Sequence, residues 1–335
     1  MEHSQKFLSY VLLLALLLAF TVVALGAYTR LSDAGLGCPD WPGCYGHIGV
    51  PEQVKSDNYQ RPLEADKAWK EMIHRYVAGA LGLLILFIFF ISFNRKYKQS
   101  PLVPSILLIV VIFQALLGMW TVTMLLSPVI VSAHLIGGLT TLSLINWLYL
   151  NNKNNRSHAD SSSSSTYTST LKLAATIGLF LVCAQIFLGG WTSTNYAALA
   201  CGTSFPTCAT QWWPTMDFAN AFTISHTSNT NYEFGILENP ARTAIQVTHR
   251  IGALVLSIYL IFLGTILLKQ QALRKTAIVL FVILSIQVSL GILNVVLALP
   301  LSIAVLHNIV AAFLLLTVIA INHHLYNNAQ TELKN

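Results

Sequence analysis

The chain has 335 residues, of which 55% are hydrophobic and only 10% charged, with a formal net charge of +6 and a mean hydropathy of +0.63. Soluble domains carry about a quarter charged residues, so this composition excludes a water-soluble globular protein and indicates an integral membrane protein. The positive balance does not point to nucleic acid, because the basic residues are scattered over connections between apolar runs, where they act as topology signals.

A membrane span needs about 20 mostly apolar residues, and eight stretches qualify: 7–28, 70–93, 102–124, 128–150, 171–191, 242–268, 274–297 and 301–322. None alternates residue by residue as a barrel strand would, so the predicted fold is all-α with eight transmembrane helices. The first run lacks the short apolar core and small-residue cleavage site of a signal peptide and reads as a retained helix. The loop that follows contains CPDWPGC, with Cys38 and Cys44. The second span opens on EMIHR, which puts Glu71, His74 and Arg75 at its edge; the fourth carries His134. A polar, Ser- and Asn-rich segment, 151–170, reads as a flexible linker. Beyond it lie Cys183 in the fifth span, CGTSFPTC with Cys201 and Cys208 in a long loop, QVTHR with Gln246, His249 and Arg250, and finally His307.

Topology follows from the basic residues. Arg95, Lys96 and Lys98, then Lys153 and Arg156, then Lys269, Arg274 and Lys275 mark three connections that alternate with short ones, around Ser127 and Pro300, carrying none. Both termini are therefore expected in the cytoplasm and the cysteine loops on the outer, periplasmic side. Arg30, Lys55, Arg61 and Lys67 in the first large loop run against the rule; the loop 192–241 has no Lys or Arg.

The two halves match. GAYT at 26–29 recurs as GGWT at 189–192, an offset of 163 that Cys38 and Cys201 share, while His74 and His249 differ by 175 and His134 and His307 by 173. Gln114 and Gln287 each precede a histidine by 20 residues, and Gly118 and Gly291 each follow their glutamine by four. This pattern predicts two tandem, pseudo-symmetric four-helix bundles, 1–150 and 171–335, related by an axis along the membrane normal.

The repeat pairs the four histidines that lie within predicted spans; His3, His47, His158, His226, His323 and His324 are assigned to loops and tails. An ionisable group in lipid marks function or an interhelical contact. At about 1.5 Å per residue all four lie roughly 6–11 Å below the outer surface. Two imidazoles at matched depth on separate helices suit axial ligation of a tetrapyrrole iron, whereas a bare zinc or copper ion wants three or four converging ligands. This predicts one bis-His haem site per half. Gly79, Gly137, Gly138 and Gly252 would let a porphyrin approach the backbone, or would serve helix packing. Arg75 and Arg250 suit haem propionates, or reach the headgroups.

Glu71 has Gln246 as its counterpart. A carboxylate exchanges protons and stabilises positive charge and an amide cannot titrate, so chemistry is expected in the first half; a helix-start carboxylate is the plainer alternative. The cysteine pairs read as outer-loop staples or, for Cys38 and Cys44, as a redox-active pair. Cys183 reads as a packing residue.

The stretches GAYTRLSDAGLGCPDWPGC, EMIHR, SAHLIGG, VTHRIGA and VLHNIVAA, spread over almost the whole chain, resemble the haem A synthases of bacterial and mitochondrial type. The resemblance implies an inner-membrane oxidoreductase that oxidises the C8 methyl of haem O to the formyl group of haem A for terminal oxidases. It places haem O between His74 and His134 with Glu71 as the catalytic carboxylate, and a permanent haem b between His249 and His307. A haem O synthase supplying the substrate, an electron donor of unknown identity and a homo-oligomer are the partners expected. Rival readings are a dihaem b-type electron carrier, a thiol–disulfide oxidoreductase working through Cys38 and Cys44, and a haem carrier without chemistry. Departures from the family pattern are the Ser-rich linker and the extended loop 210–240.

Overall fold

A computed structural model describes residues 2–54, 59, 61–97, 99–157, 167–224 and 230–330. Its helices are α1 (Glu2–Leu31), α2 (Ala65–Ser92), α3 (Leu102–Thr123), α4 (Pro128–Ser157), α5 (Ser169–Thr194), the short α6 (Phe218–Ala221), α7 (Asn239–Leu268), α8 (Arg274–Val296) and α9 (Leu301–Gln330). All but α6 are long and apolar enough to cross a membrane, and among the described residues there are no strands beyond two isolated bridges. This is a multi-pass, all-helical membrane protein. The prolines stand where helices tolerate them: Pro128 opens α4, and Pro240 lies at the start of α7. Thr168 caps α5 by accepting from the Leu171 N–H.

Every predicted span is a helix, but several run further than hydropathy suggests. The predicted linker begins inside α4, which continues to Ser157, and α5 already begins at Ser169; residues 158–166, with His158, lie outside those described, as does His226. The extension has a packing cause. Asn152 is buried and its amide donates to the Gln5 carbonyl and to Ser9 Oγ on α1. Next to it, Asn151 Oδ1 meets His323 Nε2 at 2.7 Å. His323 and His324 therefore belong to α9 rather than to a tail, and His323 also stands edge-on to Trp147. His3 is likewise helical, in α1; His47 is in a loop as expected.

Helices α1, α2, α3 and α4 pack in cyclic order, each on the next and α4 back on α1; α5, α7, α8 and α9 do the same. Between the sets α1 packs on α9, α4 on α5, and α4 on α9. Along the helix axes the molecule changes character. The end near the linker is solid: Leu12, Ile85, Leu107, Ile145, Leu260 and Val318 belong to one continuous buried cluster. The opposite end, which carries the cysteine loops, is hollow. Outward faces are apolar, with Leu173 59% and Phe180 71% exposed, as a lipid-facing surface requires.

Candidate functional site: a cavity with two histidine pairs

The hollow end encloses a cavity of about 2300 Å3 whose lining includes His74, His134, His249, His307 and Glu71. Ordinary ligand pockets measure about 300–1,000 Å3, so this one has room for two large ligands. The His74 and His134 rings lie with centroids 6.5 Å apart at 80° to one another. Two metal–imidazole bonds of about 2 Å, plus the half-widths of the rings, separate centroids by about 6 Å, so one metal atom fits between them. His249 and His307 line the same cavity. Among the described residues no group of three or more His, Cys, Asp or Glu side chains converges. A metal between either pair must therefore bring its own equatorial ligands, as a tetrapyrrole iron does.

Each imidazole is positioned by a glycine on the neighbouring helix. A Cβ added at Gly26, Gly118, Gly189 or Gly291 would meet Cε1 of His74 at 3.0 Å, His134 at 3.2 Å, His249 at 3.2 Å and His307 at 3.1 Å respectively. Only a bare backbone lets the ring come so close. Gly79, by contrast, has nothing within 4 Å of an added Cβ. Gly189→Ala is expected to displace the His249 ring, lowering the thermal midpoint and the amount of any haem bound there. Haem-to-protein ratio and thermal midpoint check both.

The residue four before each glycine lies beside the same ring. Gln114 Nε2 is 3.0 Å from His134 Nδ1 and donates to the His134 carbonyl at 2.6 Å. Gln185 Nε2 is 2.9 Å from His249 Nδ1 and donates to the His249 carbonyl at 3.0 Å. Gln287 Nε2 lies 3.3 Å from His307 Nε2. At the fourth such position stands Val22. Gly137 and Gly252, expected to make room for a porphyrin, instead clear space for the carboxamides of Gln114 and Gln185, which an added Cβ would strike. Gly138 and Gly79 do line the cavity.

Glu71 is buried, 5% exposed. Its Oε2 accepts from the Cys38 N–H at 2.9 Å, and its Oε1 accepts from Arg75 Nη2 at 2.6 Å. Arg75 Nη1 also donates to the carbonyls of Asp40 and Gly43, so the acid and the base together hold the cysteine loop. In the other half Gln246 Oε1 accepts from the Cys201 N–H at 3.0 Å, and Arg250 Nη1 donates to the Thr207 carbonyl at 2.9 Å. Arg250 Nε and Nη2 are buried with no partner, leaving that guanidinium free for an anion, whereas Arg75 is more fully committed.

Both cysteine pairs are disulfide-bonded, Cys38 to Cys44 and Cys201 to Cys208. The loops share a local fold: Cys44 exchanges two main-chain hydrogen bonds with His47, and Cys208 does so with Gln211. The first loop is further tied by Asp40, whose carboxylate accepts from the N–H groups of Tyr45 and Gly46. Burial pushes the Tyr45 phenol above its ordinary pKa, and its neutral hydroxyl donates to the Pro62 carbonyl. Cys38 and Cys44 are both 0% exposed, which leaves no sulfur open to an external thiol and disfavours thiol–disulfide exchange at the surface. Cys183 is exposed on α5 rather than packed inside the bundle.

A contact between the two halves joins residues at the ends of α1 and α5. Arg30 Nη2 donates to the Ser193 carbonyl at 2.7 Å, Arg30 Cζ lies 4.3 Å from the Tyr196 ring centroid, and Tyr196 OH donates to Asp33 Oδ1. Ser193 is 163 residues after Arg30, and Tyr196 is 163 after Asp33. Sequence reasoning missed this contact and missed Gln185. The spacing of a glutamine four before a glycine, already visible at Gln114 and Gln287, was the signal for the latter.

Comparison with known proteins agrees with this architecture. The model of the COX15-CtaA family, described as cytochrome oxidase assembly protein, matches residues 9–319. A heme A synthase from Shewanella oneidensis is 45% identical over 330 residues, covering 97% of this chain and 98% of the relative. Heme A synthases from Mesorhizobium japonicum, 28% identical over 84% of this chain and 80% of theirs, and Rhizorhabdus wittichii, 24% identical over 94% and 92%, are further relatives.

Proposed function

We propose that this chain, which belongs to the COX15-CtaA family of cytochrome oxidase assembly proteins, is a haem A synthase. The reaction is oxidation of the C8 methyl of haem O to a formyl group, an overall four-electron change with oxygen added at one carbon. The observation that carries the reading is the pair His74 and His134, with ring centroids 6.5 Å apart, in a cavity that Glu71 also lines. In this reading haem O is the substrate of the first half, held through His74 and His134. A resident haem b is held in the second half through His249 and His307, and when bound it supplies one-electron transfer. The matched helix order and the matched Glu71–Cys38 and Gln246–Cys201 hydrogen bonds support treating the halves as duplicated bundles.

The chain's own residues divide the work. The Glu71 carboxylate accepts from the Cys38 N–H and from Arg75, with the Gly37 N–H also beside it, which leaves part of its lone-pair capacity open. That open capacity takes a proton from a substrate carbon or stabilises positive charge developing there. Gln246 offers the same anchor to its loop without a charge, which suits a site that only relays electrons. Arg250, with two unpartnered nitrogens, is the stronger candidate for a haem propionate, and Arg75 the weaker. The cysteine loops lie on the periplasmic side and the termini in the cytoplasm, following the basic connections. A haem O synthase delivering substrate, and a homo-oligomer, are consistent with the apolar outer surface.

Expression in a host that makes haem O but no haem A, followed by extraction and chromatography of the haems, is expected to yield formyl haem. Recovery of unmodified haem alone from a protein holding two haems would leave a dihaem electron carrier as the correct reading.

A further inference from the structure

Haem O differs from haem b by one long isoprenoid chain on the ring edge, so two sites that divide these haems must differ where that chain runs. The cavity lining differs at the seam between α2 and α3 in the first half and between α7 and α8 in the second. The offset of 175 that relates His74 to His249 pairs Gly79 with Leu254 and Gly82 with Ser257. The offset of 173 that relates Gln114 to Gln287 pairs Leu108 with Phe281 and Ala115 with Val288. All of these residues line the cavity, and in each pair the second half carries the larger side chain. Ile112, paired with Ser285, goes the other way. An added Cβ at Gly79 or Gly82 would meet nothing within 4 Å, whereas one at Gly264 on α7 would strike the Phe281 ring, so that α7 and α8 close tightly there. Spacings of four, four and three set Glu71, Arg75, Gly79 and Gly82 on one face of α2, and the open strip continues down the helix from the carboxylate. Beside its upper end stands His74, whose Nδ1 is buried with no partner among the described residues and whose ring centroid lies 6.5 Å from that of His134. The lining of α2 runs on to Leu86, about 18 Å of helix beyond His74.

We propose that the seam between α2 and α3 is the groove that receives the isoprenoid chain of haem O, and that Leu254, Phe281 and Val288 leave no room for such a chain in the second half. The inference rests on the two-haem reading above and names the part of the substrate that tells the halves apart. An apolar chain gains little by leaving lipid for an apolar groove, so the discrimination comes from exclusion. Extra methylenes forced into a filled site cost about tenfold or more in binding. The first seam therefore admits either haem and the second admits haem b. Once haem b occupies the second site, haem O has the first to itself. Leu83 and Ile112, which line the first seam, are 71% and 56% exposed, so the far end of the chain lies toward the bilayer.

Haem content reads the difference without relying on turnover. The whole protein is purified from cells that make both haem b and haem O, and its haems are extracted and chromatographed. Tail-bearing haem, meaning haem O with any product made from it, is counted against haem b. Wild type should carry up to one tail-bearing haem per chain. Gly79→Leu combined with Ala115→Val should lower that share by about tenfold, with haem b taking its place. Leu254→Gly combined with Val288→Ala should raise it above one. The variants alter opposite halves, so if total haem and thermal midpoint show one of them misfolded, the other decides. An unchanged share of tail-bearing haem in whichever variants still bind two haems would overturn the groove and leave the haem assignment standing. More than one tail-bearing haem in the wild type would overturn it too. A wild type with fewer than two haems, or with none bearing a tail, would overturn the two-haem reading itself.

Discussion

Glu71→Gln is expected to abolish haem A formation while leaving the protein folded and both haems bound. The loss should be in the range of about 10²–10⁴-fold, as for removal of a group that moves a proton in the transition state. The protein carries its own control, because the second half already uses an amide at this place. Gln246 accepts from the Cys201 N–H as Glu71 accepts from that of Cys38, so glutamine at position 71 can keep the loop anchored. The ion pair with Arg75 is lost, and breaking a buried pair by removing one partner costs about 3–5 kcal/mol when the other charge is stranded. Arg75 is not stranded, since the Asp40 and Gly43 carbonyls still accept from it, and the penalty should fall below that range. Haem chromatography reads the activity, and haem content with thermal midpoint reads the fold. Full activity in the Glu71→Gln protein would reduce Glu71 to a loop anchor.

His249→Ala and His134→Ala are expected to separate the halves. Removing a direct iron ligand should cost more than the roughly 10–100-fold that loss of an outer partner costs. His249→Ala should therefore purify without its resident haem or with that haem in a high-spin, five-coordinate state. His134→Ala should keep the resident haem with its six-coordinate spectrum intact, yet accumulate haem O in the membrane and make no formyl haem. If both variants lost the same haem, the assignment of one substrate site and one permanent site would be wrong. Absorption spectra of the reduced proteins and extracted haem ratios decide between these outcomes.

Much of this is legible in the sequence. Eight apolar runs give eight helices because the bilayer leaves a chain few other ways to satisfy its backbone. The four histidines stand out because ionisable groups are expensive there. The helix ends were less legible: hydropathy stops where polar residues begin, but Asn151 and Asn152 remain helical because α1 and α9 supply their partners. His323 looked like a tail residue for the same reason. The roles of Gly137 and Gly252 were misread because a glycine's sequence does not say which side chain needs its space. Here a carboxamide claims it.

Both histidine pairs line the cavity at the hollow end. Redox groups seated there would lie within one low-dielectric body, so each would feel the charge on its neighbour. Midpoint potentials measured with the substrate position empty would then differ from those with it filled. A potentiometric titration of the protein loaded with two haems is therefore expected to show steps that belong to the pair rather than to either site.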